Sequence, residues 1–465
     1  MQGSKDYSDI LITKRDTQEY MRQSGLKKSL SSSHLWSLCV GAVISGQFIG
    51  WNNGLKYVNP MGLIVLTIGF SIFYLLMMNI LIKLSIEFPY SGGAYAYARK
   101  AFGKTTGFIS GYITLIQYIC ISAVIYIFME RYLRVVLSIH ISEGLSIFIV
   151  AIIAAVQVSG IKRLSFLQIL TTGICVSIFL MFFMGIKTVG LENIPQTLQG
   201  IPSSVGFFMA VPFVLWFFVG IDSPTFVAEE TKLPEIAYPI SMYIGLITVS
   251  ILSIGVIIFS VSSGNWERLV YTDYPLIFIL HQLQQTDDVL LSVFSILSVS
   301  SFIASTSGLM TAYSRQTFAL SRAGYLPNFI SKIYFSTKVP FVAILIPSML
   351  IILLGKFSNE DFLLQIVCNF AVLSYLLTSA SFLKIERKDK STRLEKLNAI
   401  ITLSVSAILT AVFLVFQTYI TIISMGIVLI GIIYFSVYAR AHINDDAPEE
   451  AEANADEIRI KIINI

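Results

Sequence analysis

Charge is what this chain has least of. Across 465 residues, Asp, Glu, Lys and Arg together supply 13%, about half the share of an ordinary soluble domain. A soluble enzyme, a nucleic-acid binder and a secreted scaffold all need charged surface that is missing here. Cysteine is scarce too. Cys39, Cys120, Cys175 and Cys368 each sit inside an apolar run with no C-x-x-C spacing, which excludes a disulfide framework and leaves four small buried hydrophobes. The four histidines, His34, His140, His281 and His442, are dispersed, so no metal cluster can be read and no cofactor is expected. The net charge of +4 is too small to imply a nucleic-acid partner. Residues 1–33 are polar and basic, and the first apolar run, from Leu35, has membrane-helix length; a cleavable signal peptide is therefore not expected.

What fills the chain instead is apolar: 55% of residues are hydrophobic and the mean hydropathy is +0.76. That suffices for about twelve membrane helices of ~20 residues each. Twelve apolar segments are read between charged or Gly/Pro-bearing loops, at about 35–56, 60–82, 105–130, 144–160, 164–187, 205–228, 238–262, 276–310, 340–355, 362–383, 397–415 and 419–438. The polar stretch from His281 to Asp288 interrupts the eighth, whose helix is expected to begin near Val289. With the N-terminus in the cytoplasm, 26 of the 32 Lys and Arg fall on that side, leaving only Lys56, Arg131, Arg134, Lys187, Arg268 and Lys356 opposite. An odd number of spans destroys this asymmetry. The expectation is a multi-pass inner-membrane protein in the lipid bilayer with both termini cytoplasmic: an N-terminal tail (1–34), a transmembrane domain (35–438) and an acidic tail (439–465). Asp445 to Glu457 carry seven acids and no base, which predicts a solvated, disordered tail.

Two spans contain the backbone breakers that lipid-exposed helices avoid. The first reads LWSLCVGAVISGQFIGWNNGL from Leu35 to Leu55, with Gly41, Gly46, Gly50 and Gly54 among Ser45, Gln47, Asn52 and Asn53. The sixth, from Gly206 to Glu230, holds Pro212, Gly220 and Pro224, with Asp222 inside it. Interrupted helices at corresponding positions of two halves point to a binding site. The expected fold is therefore an all-α integral membrane protein of about twelve transmembrane helices. A five-plus-five inverted repeat (35–187 and 205–383) has broken first and sixth helices, and two peripheral helices (397–438) follow. Gly46 and Gly220 are expected to mark the breaks, although glycines also permit close helix packing. Freed carbonyls and half-helix ends suit a small amine or amino acid. Asp222 is the one acid placed well inside a span, and such an acid is functional by default. It serves either as counter-charge to a cation or as a proton carrier, unless the helix end there reaches water near Glu229 and Glu230. Trp216, six residues earlier, offers a ring to cap the substrate.

Three stretches resemble the amino acid–polyamine–organocation permeases, and the resemblance extends over nearly all of residues 35–438. They are EFPYSGGAYAYARKAFG (Glu87 to Gly103), LWFFVGIDSPTFVAEETKLP (Leu215 to Pro234) and SRQTFALSRAGYLP (Ser314 to Pro327). Within that superfamily, VISGQFIGWNNGL (Val43 to Leu55) and VPFVLWFF (Val211 to Phe218) are similar to ethanolamine permeases. The resemblance places Ser45, Gly46 and Gln47 on the unwound triplet that receives a substrate carboxylate in amino-acid members. It places Trp216 on the aromatic gate and Asp222 on the acid that follows; Phe217 and Phe218 are expected to help close over the substrate. Many amino-acid permeases have glycine where this chain has Gln47, a departure that fits a substrate lacking a carboxylate. Some proton-coupled relatives keep a lysine in the fifth span; none lies between Lys162 and Lys187 here.

Gln117 and Tyr118 of the third span, Ser300, Ser301 and Thr306 of the eighth, and Asn369 and Tyr375 of the tenth are further candidates for lining the cavity. The reading is a secondary transporter working by alternating access, with an ethanolamine-like cationic amine as substrate, or a zwitterionic or cationic amino acid. Coupled protons or a counter-substrate would be its other partners. An enzyme should cluster His, Asp or Glu near one face, and the sequence has no such cluster. A non-transporting sensor is expected to carry an output domain, for which the 33 residues before the first span and about 27 after the last leave little room.

Overall fold

A computed structural model describes residues 26, 28–136, 138, 140–187, 204–261, 266–282, 288–333, 337–386 and 392–463. The expected N-terminal tail therefore lies mostly outside the described residues. Helix α1 (Ser32–Gly41) opens the first span and gives way to two 3-10 turns, Ile44–Gln47 and Trp51–Lys56. Next come α2 (Pro60–Glu87), the short α3 (Ala94–Phe102), α4 (Lys104–Val135), α5 (Ser142–Val158) and α6 (Ile161–Lys187). The sixth span consists of α7 (Ser204–Met209), α8 (Val211–Leu215) and a 3-10 segment, Ser223–Glu230. Beyond it run α9 (Pro234–Val261), the small α10 (Trp266–Leu269) and α11 (Pro275–Gln282), and α12 (Asp288–Arg322). The chain then forms α13 (Phe341–Phe357), α14 (Glu360–Glu386), α15 (Arg393–Phe416), α16 (Thr418–Val437) and a final helix, α17 (Pro448–Ile463).

Eight of these helices (α2, α4, α6, α9, α12, α14, α15 and α16) are long and apolar enough to cross a membrane, and α5 and α13 are shorter apolar helices. Together with the two broken spans they account for the twelve apolar segments. In the eighth segment α11 runs to Gln282 and α12 from Asp288; residues 283–287 of the expected interruption lie outside the described residues. Local chemistry sets the boundaries. Asn59 caps α2 by accepting from the Gly62 amide at 2.9 Å, with Pro60 in the first turn where its missing N–H costs nothing. Thr392 and Glu395 form a reciprocal capping box on α15. Inside the spans, hydroxyls such as Thr67, Ser253 and Thr402 donate to carbonyls four residues back, so they bring no unsatisfied polar group into lipid.

Burial separates the centre from the periphery. The apolar window of α4 is 89% buried, against 33% for α15 and 28% for α16, which fits those two helices standing outside the ten-helix core. Ile244, Ile247 and Ile251 of α9 point outward at helical spacing, as a lipid-facing stripe requires.

The segment before α1 and the helix α17 meet one face. The amides of Ser29 and Leu30 donate to the Glu230 carbonyl at 2.8 and 2.9 Å, and α17 reaches the same exit of the sixth span. The acidic tail departs from expectation here. Rather than hanging in solvent, its start is helical, and Glu449 and Glu450 are 3% and 0% exposed. Composition alone predicts disorder, because it cannot know that buried arginines wait for these two carboxylates.

Candidate substrate site

The first span breaks just after α1. Its freed backbone groups are taken up by Ser305 of α12, whose Oγ donates to the Gly41 carbonyl at 2.9 Å and accepts from the Ser45 amide at 3.2 Å. Gly46 lies within a 3-10 turn, and the left-handed backbone falls instead at Gly50 (φ +88°). The role of Gly46 is space: a Cβ there would meet the Trp216 ring at 3.2 Å. In the sixth span Gly220 does carry the turn, with φ +104°. Asp222 follows at the head of the 3-10 segment and is 7% exposed, so the end of the span near Glu229 and Glu230 does not bring it into water.

The two breaks satisfy one another. The Trp216 indole N–H donates to the Ile49 carbonyl at 3.1 Å, Gln47 Nε2 to the Phe217 carbonyl at 3.4 Å, and Ser223 Oγ to the Leu38 carbonyl at 2.9 Å. Aromatic rings surround the crossing. Trp51 stacks on Phe217, Phe218 stacks on Tyr74, and the Tyr74 and Tyr375 hydroxyls are 3.1 Å apart. Gly50→Ala is expected to cost about 1–2 kcal/mol for the left-handed backbone alone. Its Cβ would also lie 3.0 Å from the Trp216 indole nitrogen. A thermal melt of the purified protein measures this; an unchanged midpoint would mean that the turn relaxes freely.

Polar atoms without a partner collect at this crossing. Among the described residues, Ser45 Oγ, Gln47 Oε1, Trp51 Nε1, Tyr118 Oη and Asp222 Oδ1 are buried and complete no well-formed hydrogen bond, and on α4 the same holds for both amide atoms of Gln117, next to Tyr118 in the chain. Tyr118 stands beside the Asp222 carboxylate without closing that bond geometrically, its ring edge-on to Phe226. Buried polar groups left open cost about 1–3 kcal/mol each. A site that binds a small polar solute has reason to hold them open.

Other candidates lie elsewhere. Ser300 Oγ is 3.2 Å from Cys175 Sγ on α6, and Ser301 donates to its own helix at Ser298. Asn369 faces the peripheral helices, accepting from Thr421 at 3.1 Å. On α12 the residue that reaches the break is Ser305. Helical period alone could not select it from a serine-rich stretch, because the choice depends on the facing carbonyl of Gly41. Gln168 of α6 was also missed, although a lone amide in an apolar span is a signal. Its Nε2 donates at 3.0 Å to both the Ser37 and Ala304 carbonyls, and Ser307 donates to its Oε1. A neutral amide thus holds the point where carbonyls of the first and eighth spans converge.

The three stretches that carry the family resemblance meet at the exit of the sixth span. Glu230, 1% exposed, accepts from Arg315 at 2.9 and 3.1 Å, and Glu229 from Arg322 at 2.6 and 3.1 Å. The Ser91 amide donates to Glu229 at 2.8 Å. Gly92 and Gly93 pass between helices with positive φ, where a Cβ would strike Ala319 and Thr225.

The family model for amino acid permeases matches residues 30–446. The branched-chain amino acid permease BcaP of Bacillus subtilis (strain 168) is 24% identical over 451 residues, covering 90% of this chain and 95% of the relative. The aromatic amino acid transport protein AroP of Escherichia coli (strain K12) is 21% identical, with 78% and 82% covered. The methylthioribose transporter of B. subtilis (strain 168) is 25% identical over 56% of this chain and 59% of its own length. These relatives are permeases and transporters, not enzymes, and the family match over residues 30–446 runs through both broken spans. The chain is an integral membrane protein of the amino acid permease family.

Proposed function

We propose that this permease carries a small solute bearing an ammonium group, with amino acids as the substrate class, and that it works by alternating access around the crossing of the first and sixth spans. The observation that carries this reading is the set of open acceptors there, the Asp222 carboxylate and Gln47 Oε1, inside a ring of Trp51, Phe217, Phe218 and Tyr74. An ammonium group donates to such acceptors and stacks favourably on aromatic faces. Ser45 Oγ and Gln117 Nε2 supply donors for a carboxylate. The names of BcaP, a branched-chain amino acid permease, and AroP, an aromatic amino acid transport protein, support the amino-acid class. A second reading, an ethanolamine-like amine without a carboxylate, is favoured by one feature. The Ser45 and Gly46 amides that would cradle a carboxylate are already engaged, by Ser305 Oγ and the Val43 carbonyl.

The Lys/Arg asymmetry supports cytoplasmic termini, and so does the meeting of Ser29, Leu30 and α17 on one face. Because Gln168 fills the convergence of carbonyls with a neutral amide, uptake is expected to need no sodium.

The test is uptake into proteoliposomes, with branched-chain, aromatic and basic amino acids, ethanolamine and choline as competitors, under imposed proton or sodium gradients. The expected result is competition by amino acids and unchanged uptake when sodium is withdrawn. Competition by ethanolamine alone selects the second reading. Binding without accumulation would identify a sensor and overturn transport.

A further inference from the structure

We propose that the acidic segment from Asp445 to Ala455 is the bolt of the cytoplasmic gate, a docked strap that must leave before the Asp222 site opens toward the cytoplasm. This rests on the transport reading above. Glu450, fully buried, accepts from Arg99 Nε at 2.6 Å, Tyr95 Oη at 2.6 Å and Tyr325 Oη at 2.8 Å. Glu449 accepts from Arg322 at 2.9 and 3.3 Å, and the same guanidinium binds Glu229 at the end of the sixth span. Around the rim, Glu452 pairs with Lys100 at 3.3 Å and accepts from Tyr90, while Asp445 pairs with Lys104 at 2.7 Å. Asn444 tethers the strap to the end of α12 through Ala323 and Arg322.

One segment thus ties together α3, the loop before it, the sixth-span exit and α12. Any opening toward that face has to separate these elements. Thr225 lies directly beneath, 1% exposed, between Asp222 and the Glu229 exit and against Gly93. The attachment is built to be reversible. The strap's buried apolar residues are small, Ala447, Pro448, Ala451 and Ala453, so little hydrophobic area holds it. Buried ion pairs return little more than their desolvation cost. The two anchors also differ. Glu229 and Glu449 share one arginine, and burial pushes Glu449 up to about 7, with Arg322 opposing and Glu229 adding to the rise. Glu450 instead accepts from Arg99, which also donates to Asn454, and from two tyrosine hydroxyls. Glu450→Gln removes the charge that Arg99 Nε and both tyrosine hydroxyls meet, whereas in Glu449→Gln the Arg322 guanidinium keeps Glu229.

The test places the reporter Thr225→Cys in the full-length protein and measures its reaction rate with a bulky impermeant maleimide. The four native cysteines are buried, so the protein without the reporter gives the baseline. Labelling is expected to rise at least tenfold in Glu450→Gln and in a chain ending at Asn444, but to stay near the starting rate in Glu449→Gln. A synthetic peptide of residues 445–463 added to the shortened chain should restore protection. The same peptide carrying Glu450→Gln should not. This rescue, with size-exclusion profiles, separates undocking from misfolding. Rates within twofold of the reporter alone in both Glu450→Gln and the shortened chain would overturn the proposal. Labelling needs no movement of solute, so a protein that binds without accumulating fails the transport reading and leaves this result standing.

Discussion

Asp222→Asn should lower uptake of an ammonium substrate by between about thirtyfold and several thousandfold. That range follows from the roughly 2–5 kcal/mol lost when one partner of a buried, hydrogen-bonded charge pair is removed. The fold should survive the change. The local backbone is held by bonds that do not use the carboxylate: the Thr225 amide donates to the Asp222 carbonyl and the Ser223 amide to the Gly220 carbonyl, both at 3.0 Å. Oδ1 itself completes no hydrogen bond among the described residues. Transport should therefore collapse while the size-exclusion profile and melting temperature stay close to those of the parent. Uptake within twofold of the parent, at equal protein in the vesicles, would remove Asp222 from the site and with it the ammonium reading.

Arg315→Met should be the most damaging single change away from the substrate site. Arg315 is fully buried, donates twice to Glu230 and once to Ser314, and closes the end of the sixth span onto α12. Without it the Glu230 carboxylate is buried and unpaired, at a cost of about 3–5 kcal/mol, a large part of the 5–15 kcal/mol that holds a typical fold. Folded yield and melting temperature should drop sharply. The double variant Arg315→Met with Glu230→Met should recover most of that loss, since two apolar side chains of similar volume leave no charge behind. Equal stability of the single variant and the parent would show that water or a rearranged partner reaches Glu230.

The sequence made the membrane class and the number of spans legible because both rest on sums over long stretches. Apolar segment length and Lys/Arg placement average out local error. The broken spans were legible for a similar reason, since Gly46, Gly50, Pro212 and Gly220 violate what a lipid-exposed helix tolerates. The site was only partly so. Gln47, Trp216, Gly220 and Asp222 do lie at one crossing, but Ser300, Ser301 and Asn369 turn toward other helices. Ser305 and Gln168, which bridge the first span to the eighth, depend on carbonyls more than 130 residues away. No local pattern encodes that partner.

The acidic tail marks the boundary between the two kinds of knowledge. Residue type and order alone determined that this chain lives in a bilayer, with few charges, two interrupted helices and one costly acid inside a span. Whether Glu449 and Glu450 meet water or meet Arg322 and Arg99 was decided only by tertiary structure. A charge's free energy depends on what surrounds it, and composition counts the charge without its neighbours.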